Sequence, residues 1–157
     1  MSLSSSDRLA QKIALALPAA LLAGAYIGQY GFDLYPCEMC WWQRYPHFAA
    51  LFLATASFII PPRRLLVGLA GIAILASGLI GGFHAGVEYH WWEGVTACAS
   101  TLEPSADPME AVLNAPLVRC DAAPWDLFGV SLAGWNFLFS TLGGLTVLWL
   151  LMKRDRT

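Results

Sequence analysis

Four stretches of this chain carry no Asp, Glu, Lys or Arg, and these stretches constrain its fold more than any other feature. They are residues 13–32, 45–60, 65–83 and 127–152. A helix crosses the hydrocarbon core of a bilayer with about 20 apolar residues, and roughly 17 is the lower limit. The first, third and fourth runs reach that length unaided, while 45–60 needs its flank of Trp41, Trp42 and Gln43. A soluble helical protein is excluded by composition. The chain is 57% hydrophobic and 13% charged, about half the charged share of an ordinary soluble domain, so too little polar surface remains to cover it. We read an all-α membrane protein, a single domain over 1–157 built as a four-transmembrane-helix bundle. The spans are placed at about 13–32, 43–60, 65–83 and 131–152. The first is read as a retained helix: it is long, follows a polar leader with Arg8 and Lys12, and lacks a small-x-small cleavage site. A net charge of −2 with no basic stripe argues against a nucleic-acid partner.

Basic residues concentrate on the cytoplasmic side of membrane proteins. With four spans, Arg8, Lys12, Arg63, Arg64, Lys153, Arg154 and Arg156 all fall on one side, leaving Arg44 and Arg119 on the other with most of the acids. Both termini are therefore expected in the cytoplasm, with external loops at about 33–42 and 84–130. All four cysteines then face outward: Cys37 and Cys40 in the first loop, Cys98 and Cys120 in the second. Thiols outside the cytoplasm tend to be oxidised. The second loop is long enough to expect function in it. Within it, Asp107 as N-cap, Pro108 in the first turn and Pro116 at the end predict a short helix, whose Met109, Val112 and Leu113 would rest on the membrane surface.

The segment "CEMC", Cys37 to Cys40, is a C-x-x-C pair. Two intervening residues let a disulfide close in a small ring, and one thiol of such a pair can have its pKa lowered. So tight a ring restrains little unfolded-chain entropy, which weighs against a purely structural bridge. A structural zinc site needs four ligands, and no second C-x-x-C or His pair is present. A c-type haem needs C-x-x-C-H, whereas Trp41 follows Cys40. Redox cycling is the reading that remains strongest. Cys98 and Cys120 alone look like a structural bridge worth about 3 kcal/mol. Beside a C-x-x-C on the same side of the membrane, they also suggest a relay through a mixed disulfide. Four cysteines permit three full pairings, and the sequence does not choose among them.

Arg44 follows the pair closely. In a helix, Cys37, Cys40, Arg44 and His47 would share a face, and the guanidinium would favour a Cys40 thiolate and donate to an oxygen ligand; otherwise Arg44 snorkels to the interface. Pro46 opposes that helix, because it cannot donate to Trp42 and disfavours helical dihedrals at Tyr45. The helix is therefore expected to begin near Pro46, with the motif in an irregular turn. His84, at the outer end of the third span, is a candidate contact for a polar-headed ligand, or it pairs with Glu88. His90 reads as a solvated loop residue. Trp41, Trp42, Trp91, Trp92, Trp125 and Trp135 read as an interfacial aromatic belt.

Taken together, "PCEMCWWQR" opening the second helix, four spans, a long loop holding Cys98 and Cys120, and "CDAAPWDLFGVSLAGW" leading into the last helix resemble the DsbB family of bacterial disulfide-bond-forming membrane proteins. The vitamin K epoxide reductases share a four-helix core, but their loop cysteines precede the C-x-x-C, whereas here they follow it. The resemblance implies an inner-membrane protein-dithiol:quinone oxidoreductase. Its partner would be a DsbA-type periplasmic thiol oxidase and its cofactor ubiquinone or menaquinone. Carried over by position, Cys98 would be attacked by the reduced partner and Cys120 would relay to Cys37. Cys40 would be the thiolate that meets the quinone, with Arg44 polarising a quinone oxygen. A DsbA-type donor is itself a strong oxidant, near about −120 mV, which is why the acceptor must be a quinone rather than another thiol pair. Two rival readings are a non-catalytic scaffold with structural disulfides and a vitamin K-type reductase.

Overall fold

The computed structural model describes residues 4–96 and 118–153; Cys98 and the short helix expected over Asp107–Pro116 lie outside them. Four helices run through the described residues: α1 (Ser5–Gly31), α2 (Glu38–Ile59), α3 (Arg63–Glu88) and α4 (Leu132–Met152), with a two-stranded hairpin, β1 (Asp126–Leu127) and β2 (Val130–Ser131), just before α4. Three of them, α1, α3 and α4, are long and apolar enough to cross a membrane. The second, α2, has 22 residues but carries Glu38, Gln43, Arg44 and His47 in its first half. Three apolar spans make this a multi-pass membrane protein.

The start of α2 corrects the sequence expectation. The helix begins at Glu38 and passes through Pro46 rather than starting near residue 43 or at the proline. Cys37 explains the early start: its extended backbone and its sulfur, which accepts the Cys40 N–H at 3.3 Å, form an N-cap. Pro46 forfeits one backbone bond, a loss that apolar-phase helices tolerate when neighbouring helices hold them. At the other loop, α3 continues to Glu88, so His84 and Glu88 are helical rather than at the start of a loop. The hairpin before α4 pairs Asp126 with Ser131 and Leu127 with Val130. Phe128 and Gly129, its two turn residues, both have positive φ, the geometry that suits a tight hairpin.

The packing is inverted relative to a soluble bundle. Many fully buried positions are small or polar, among them Ala10, Ala14, Ala50, Ala54, Ser57, Ser77 and Ser140, beside a few larger ones such as Val67, Ile74 and Val147, while Phe52, Ile59, Leu79 and Leu142 lie exposed on the outside. Bulky outward side chains suit lipid, and small inward ones let helix backbones approach. The α3–α4 contact depends on this. A Cβ on Gly78 would lie 2.8 Å from the Thr141 backbone nitrogen, and one on Gly144 would lie 2.9 Å from that of Leu75. Substituting Gly78 with alanine must therefore push the two helices apart. The expected cost is about 1–3 kcal/mol, read as a lower thermal unfolding midpoint in detergent; an unchanged midpoint would mean that the contact has slack.

One end of the bundle is tied by polar contacts. Ser4 and Asp7 form a capping box on α1, and Asp7 also meets Arg64 of α3 at 3.4 Å. Arg64 donates to the Leu151 carbonyl of α4, and Gln11 donates to Ser57 of α2 at 2.9 Å. The start of α1, the end of α4 and the cations Arg8, Lys12, Arg63, Arg64 and Lys153 thus gather at this end. The described cysteines, Cys37, Cys40 and Cys120, gather at the other.

Candidate active site

At that other end, the cap of α2 is also its chemistry. The Cys37 S–H donates to Cys40 Sγ at 3.1 Å. A disulfide bond is 2.03–2.05 Å long, so closure needs the sulfurs to approach by about 1 Å, a side-chain rotation. His84 of α3 brings Nε2 to 3.6 Å from Cys37 Sγ and to 3.7 Å from Glu88 Oε1. Its Nδ1 lies 2.8 Å from Gln43 Nε2. Because the Gln43 amide nitrogen only donates, Nδ1 accepts, and the proton of the neutral ring sits on Nε2, facing the thiols.

Cys120 joins this group from the far side. It is buried in one cluster with Cys37, Met39, Val87 and Val118, and Cys40 packs against them. The Thr96 hydroxyl donates to its sulfur at 3.3 Å. Next to it, Arg119 holds Asp121 with two hydrogen bonds of 2.9 and 2.7 Å and pulls that carboxyl down to about 2. Of the four predicted cysteines, three therefore meet in one place. Cys37, Cys40 and His84 also place one soft donor atom each within 4.8 Å of one another, a set one short of the four that a closed structural zinc site uses.

The two members of the C-x-x-C are unequal. Cys37 is pushed up to about 12, first by its hydrogen bond to Cys40 and then by burial. Burial also pushes the Cys120 thiol up, and hydrogen bonding with Cys37 adds to it. Cys37 is thus the sulfur that keeps its proton, donated toward Cys40. In the fully reduced protein, iodoacetamide is expected to modify Cys40 well before Cys37, with Cys37 labelling rising about tenfold per pH unit. Peptide mass spectrometry reads this, and equal labelling of the two would contradict it.

One turn further along α2, Arg44 is buried and turned toward α1. It donates to Gln29 Oε1 at 2.6 Å and to the Ala25 carbonyl at 3.4 Å, and lies over the rings of Tyr26 and Trp41 at 4.9 and 5.0 Å. Arg44 lines a cavity of about 230 Å³ enclosed by α1, α2 and α4, with Ala20, Gly24, Gln43, His47, Trp135 and Asn136 among its other walls. His84 does not line it; the structure brings His84 to the sulfurs. Gln43 joins the two places, since its amide touches His84 on one side and accepts from Asn136 Nδ2 at 2.8 Å on the other.

Sequence reasoning missed part of this wall. Trp135 reads as an aromatic-belt residue, yet it lines the cavity, and its Nε1 is buried with no partner among the described residues. Asn136, Ser77 and Ser140 surround His47 from two other helices. The available signal was an amide at 136 within an otherwise apolar span, because polar side chains inside membrane helices are rarely idle.

The comparisons with known proteins agree with this picture. A family model described as disulfide bond formation protein DsbB matches residues 7–150. The chain belongs to the DsbB family. Similar relatives carry the name disulfide bond formation protein B. One from Acinetobacter baumannii is 31% identical, covering 90% of this chain and 94% of its own. One from Azoarcus sp. is 31% identical over 87% of each chain, and one from Shewanella frigidimarina is 30% identical over 93% of this chain and 89% of its own. No solved structure matches the chain significantly. As a DsbB family member, the chain is a disulfide-bond-forming membrane oxidoreductase.

Proposed function

We propose that this DsbB family protein reoxidises a DsbA-type periplasmic thiol oxidase and delivers the electrons to membrane quinone. The observation that carries this reading is the cluster of buried Cys37 and Cys120 with half-buried Cys40, one helical turn from the cavity that Arg44 lines. In the proposed order, the donor's thiolate attacks Cys98 and Cys120 leaves. Cys120 then attacks Cys37 of the Cys37–Cys40 disulfide and frees Cys40, one helical turn before Gln43 and Arg44 of the cavity wall. Each exchange makes one S–S bond and breaks one; once the donor's second thiol has released its mixed disulfide, the donor dithiol has become a disulfide and the Cys37–Cys40 disulfide a dithiol, so two electrons and two protons move per turn.

The cavity fits a quinone headgroup. At about 230 Å³ it is smaller than whole-ligand pockets, which start at about 300 Å³, and so suits a flat ring whose tail stays in lipid. It presents a cation at Arg44 and two buried polar atoms awaiting partners, His47 Nδ1 and Trp135 Nε1. When bound, quinone supplies a two-electron, two-proton acceptor. The protein's own part is to hold a ring oxygen with the Arg44 guanidinium and to exclude water around Cys40.

In the membrane, α2 is proposed as a fourth span: 22 residues at 1.5 Å each reach about 33 Å, enough for a core of about 30 Å. The cationic end faces the cytoplasm with both termini, and the cysteine end faces the periplasm of a bacterial inner membrane. The test is anaerobic turnover by the purified protein in detergent, with a reduced DsbA-type donor and either ubiquinone or menaquinone followed by ultraviolet absorbance. Quinone reduction that disappears in Cys40→Ala supports the proposal. An intact, folded sample that reduces neither quinone overturns it in favour of bracing disulfides.

A further inference from the structure

We propose that His47 is the proton-exchanging contact for the quinone oxygen farther from Arg44, with Asn136 as the residue that sets its tautomer. The inference rests on the quinone reading above and adds a residue to it. His47 is 3% exposed, in the half of α2 that faces the cavity. Its Nε2 lies 3.0 Å from Asn136 Oδ1, 3.0 Å from Ser77 Oγ and 3.3 Å from Ser140 Oγ. The orientation of the Asn136 amide follows from its partners. Its Nδ2 donates to Gln43 Oε1 at 2.8 Å and to the Ser77 carbonyl at 3.2 Å, and its Oδ1 accepts from Ser140 at 2.7 Å. An acceptor therefore faces Nε2, so Nε2 carries the hydrogen and Nδ1 is left with its lone pair. Nδ1 is buried and has no partner among the described residues. A buried imidazole nitrogen without a partner is costly, and the cavity beside it offers the place for one.

Three helices are thus used to aim one ring. Ser77 comes from α3, Asn136 and Ser140 from α4, and His47 from α2. Arg44 is the charged side chain among the residues lining the cavity, and α1 contributes Ala20, Leu21, Gly24 and Ala25 there, none of which titrates. From α3, the nearest titratable groups are His84 and Glu88, which reach His47 only through the Gln43 and Asn136 amides. Amides hold position but do not readily relay protons, so His47 exchanges its proton within the cavity. The balance closes without an outside reagent. Oxidation of the Cys37/Cys40 dithiol to a disulfide releases two electrons and two protons, and the quinone takes up two of each. In the resting neutral ring Nδ1 has no proton to give; it takes up one of the two protons that the dithiol releases and hands it to the ring oxygen as the electrons arrive.

The test uses full-length protein in detergent with a short-chain ubiquinone. In the wild type with His selectively ¹⁵N-labelled, adding the quinone shifts the His47 Nδ1 resonance and leaves Nε2 on its Asn136 partner. His47→Asn keeps an amide near the Nδ1 position but cannot carry a proton. It lowers kcat by at least about tenfold, the low side of general acid–base effects, and removes the alkaline limb of the kcat–pH profile, while the quinone KM stays within about threefold. A His47→Asn protein with wild-type kcat and pH profile, or a His47 resonance indifferent to quinone in a wild type that does reduce it, overturns the role of His47 and leaves the quinone reading standing. A wild type that reduces no quinone overturns both. Should His47→Asn fail to fold, judged by its thermal midpoint, the wild-type resonance decides.

Discussion

Replacing Cys37 with serine leaves the protein folded and ends its turnover. Serine is among the preferred N-cap residues, so its hydroxyl takes over from the sulfur that accepts the Cys40 N–H, and α2 keeps its start. What is lost is the covalent chemistry. Without Cys37 the C-x-x-C disulfide cannot form, and an electron pair arriving from Cys120 has no sulfur to open. The expected drop in quinone reduction is to background, at least about 10³-fold, in line with removal of a covalent nucleophile from a group that acts as a unit. The thermal midpoint should move by less than the cost of losing a cap, about 1 kcal/mol. A variant that still turns over at even a tenth of the wild-type rate would mean that Cys40 is oxidised by another route. Cys40→Ala is the complementary case, because it keeps the cap sulfur and removes its half-buried partner.

Replacing Arg44 with methionine is expected to reduce kcat/KM for quinone by roughly 10²-fold, with most of the loss in kcat. Donors aimed at an oxygen that gains charge during reaction are worth about 10²–10³ in rate. Methionine preserves much of the apolar stem but surrenders both the charge and the hydrogen bonds. Lysine separates these contributions. It restores the charge, yet a point ammonium cannot hold Gln29 and the Ala25 carbonyl while offering a planar face to Tyr26 and Trp41. Arg44→Lys should therefore recover only part of the loss. Steady-state kinetics in quinone, at saturating donor, measures both. Wild-type kcat/KM in the methionine variant would remove Arg44 from the site.

Three apolar spans and the spacing of the thiol pair were legible in the sequence because each rests on a strong local signal. Uncharged runs of membrane length have few alternatives, and C-x-x-C chemistry depends on spacing alone. Other features were decided by tertiary structure. Pro46 is a reliable breaker in water, but here Cys37 caps the helix upstream and flanking helices hold it through the proline. The hairpin at Asp126–Ser131 has strands of two residues, too short for alternation to register, and its turn is made by Phe128 and Gly129 without the usual Asn-Gly or Asp-Gly cue. Asn136 and Trp135 were invisible as a pair with His47, since their importance comes from three helices meeting. The fold sends Arg44 toward α1 and His84 to the sulfurs, orientations that come from helix packing and leave no local mark in the sequence.

The cavity beside Arg44 has a direction. Its rim residues Ala20, Gly24, Leu132 and Phe139 are all exposed on the flank of the bundle, and the space beside Gly24 is open enough that a Cβ there would touch nothing. A doorway on the flank faces acyl chains, whereas the thiols sit at the end of the bundle. On the proposed quinone reading, the two substrates would reach the protein from different phases, one at the flank of the bundle and one at its end. The protein donor is counted per litre of aqueous space, and the lipophilic acceptor per unit area of bilayer. Diluting the membrane with extra lipid would starve one half of the reaction while leaving the other untouched.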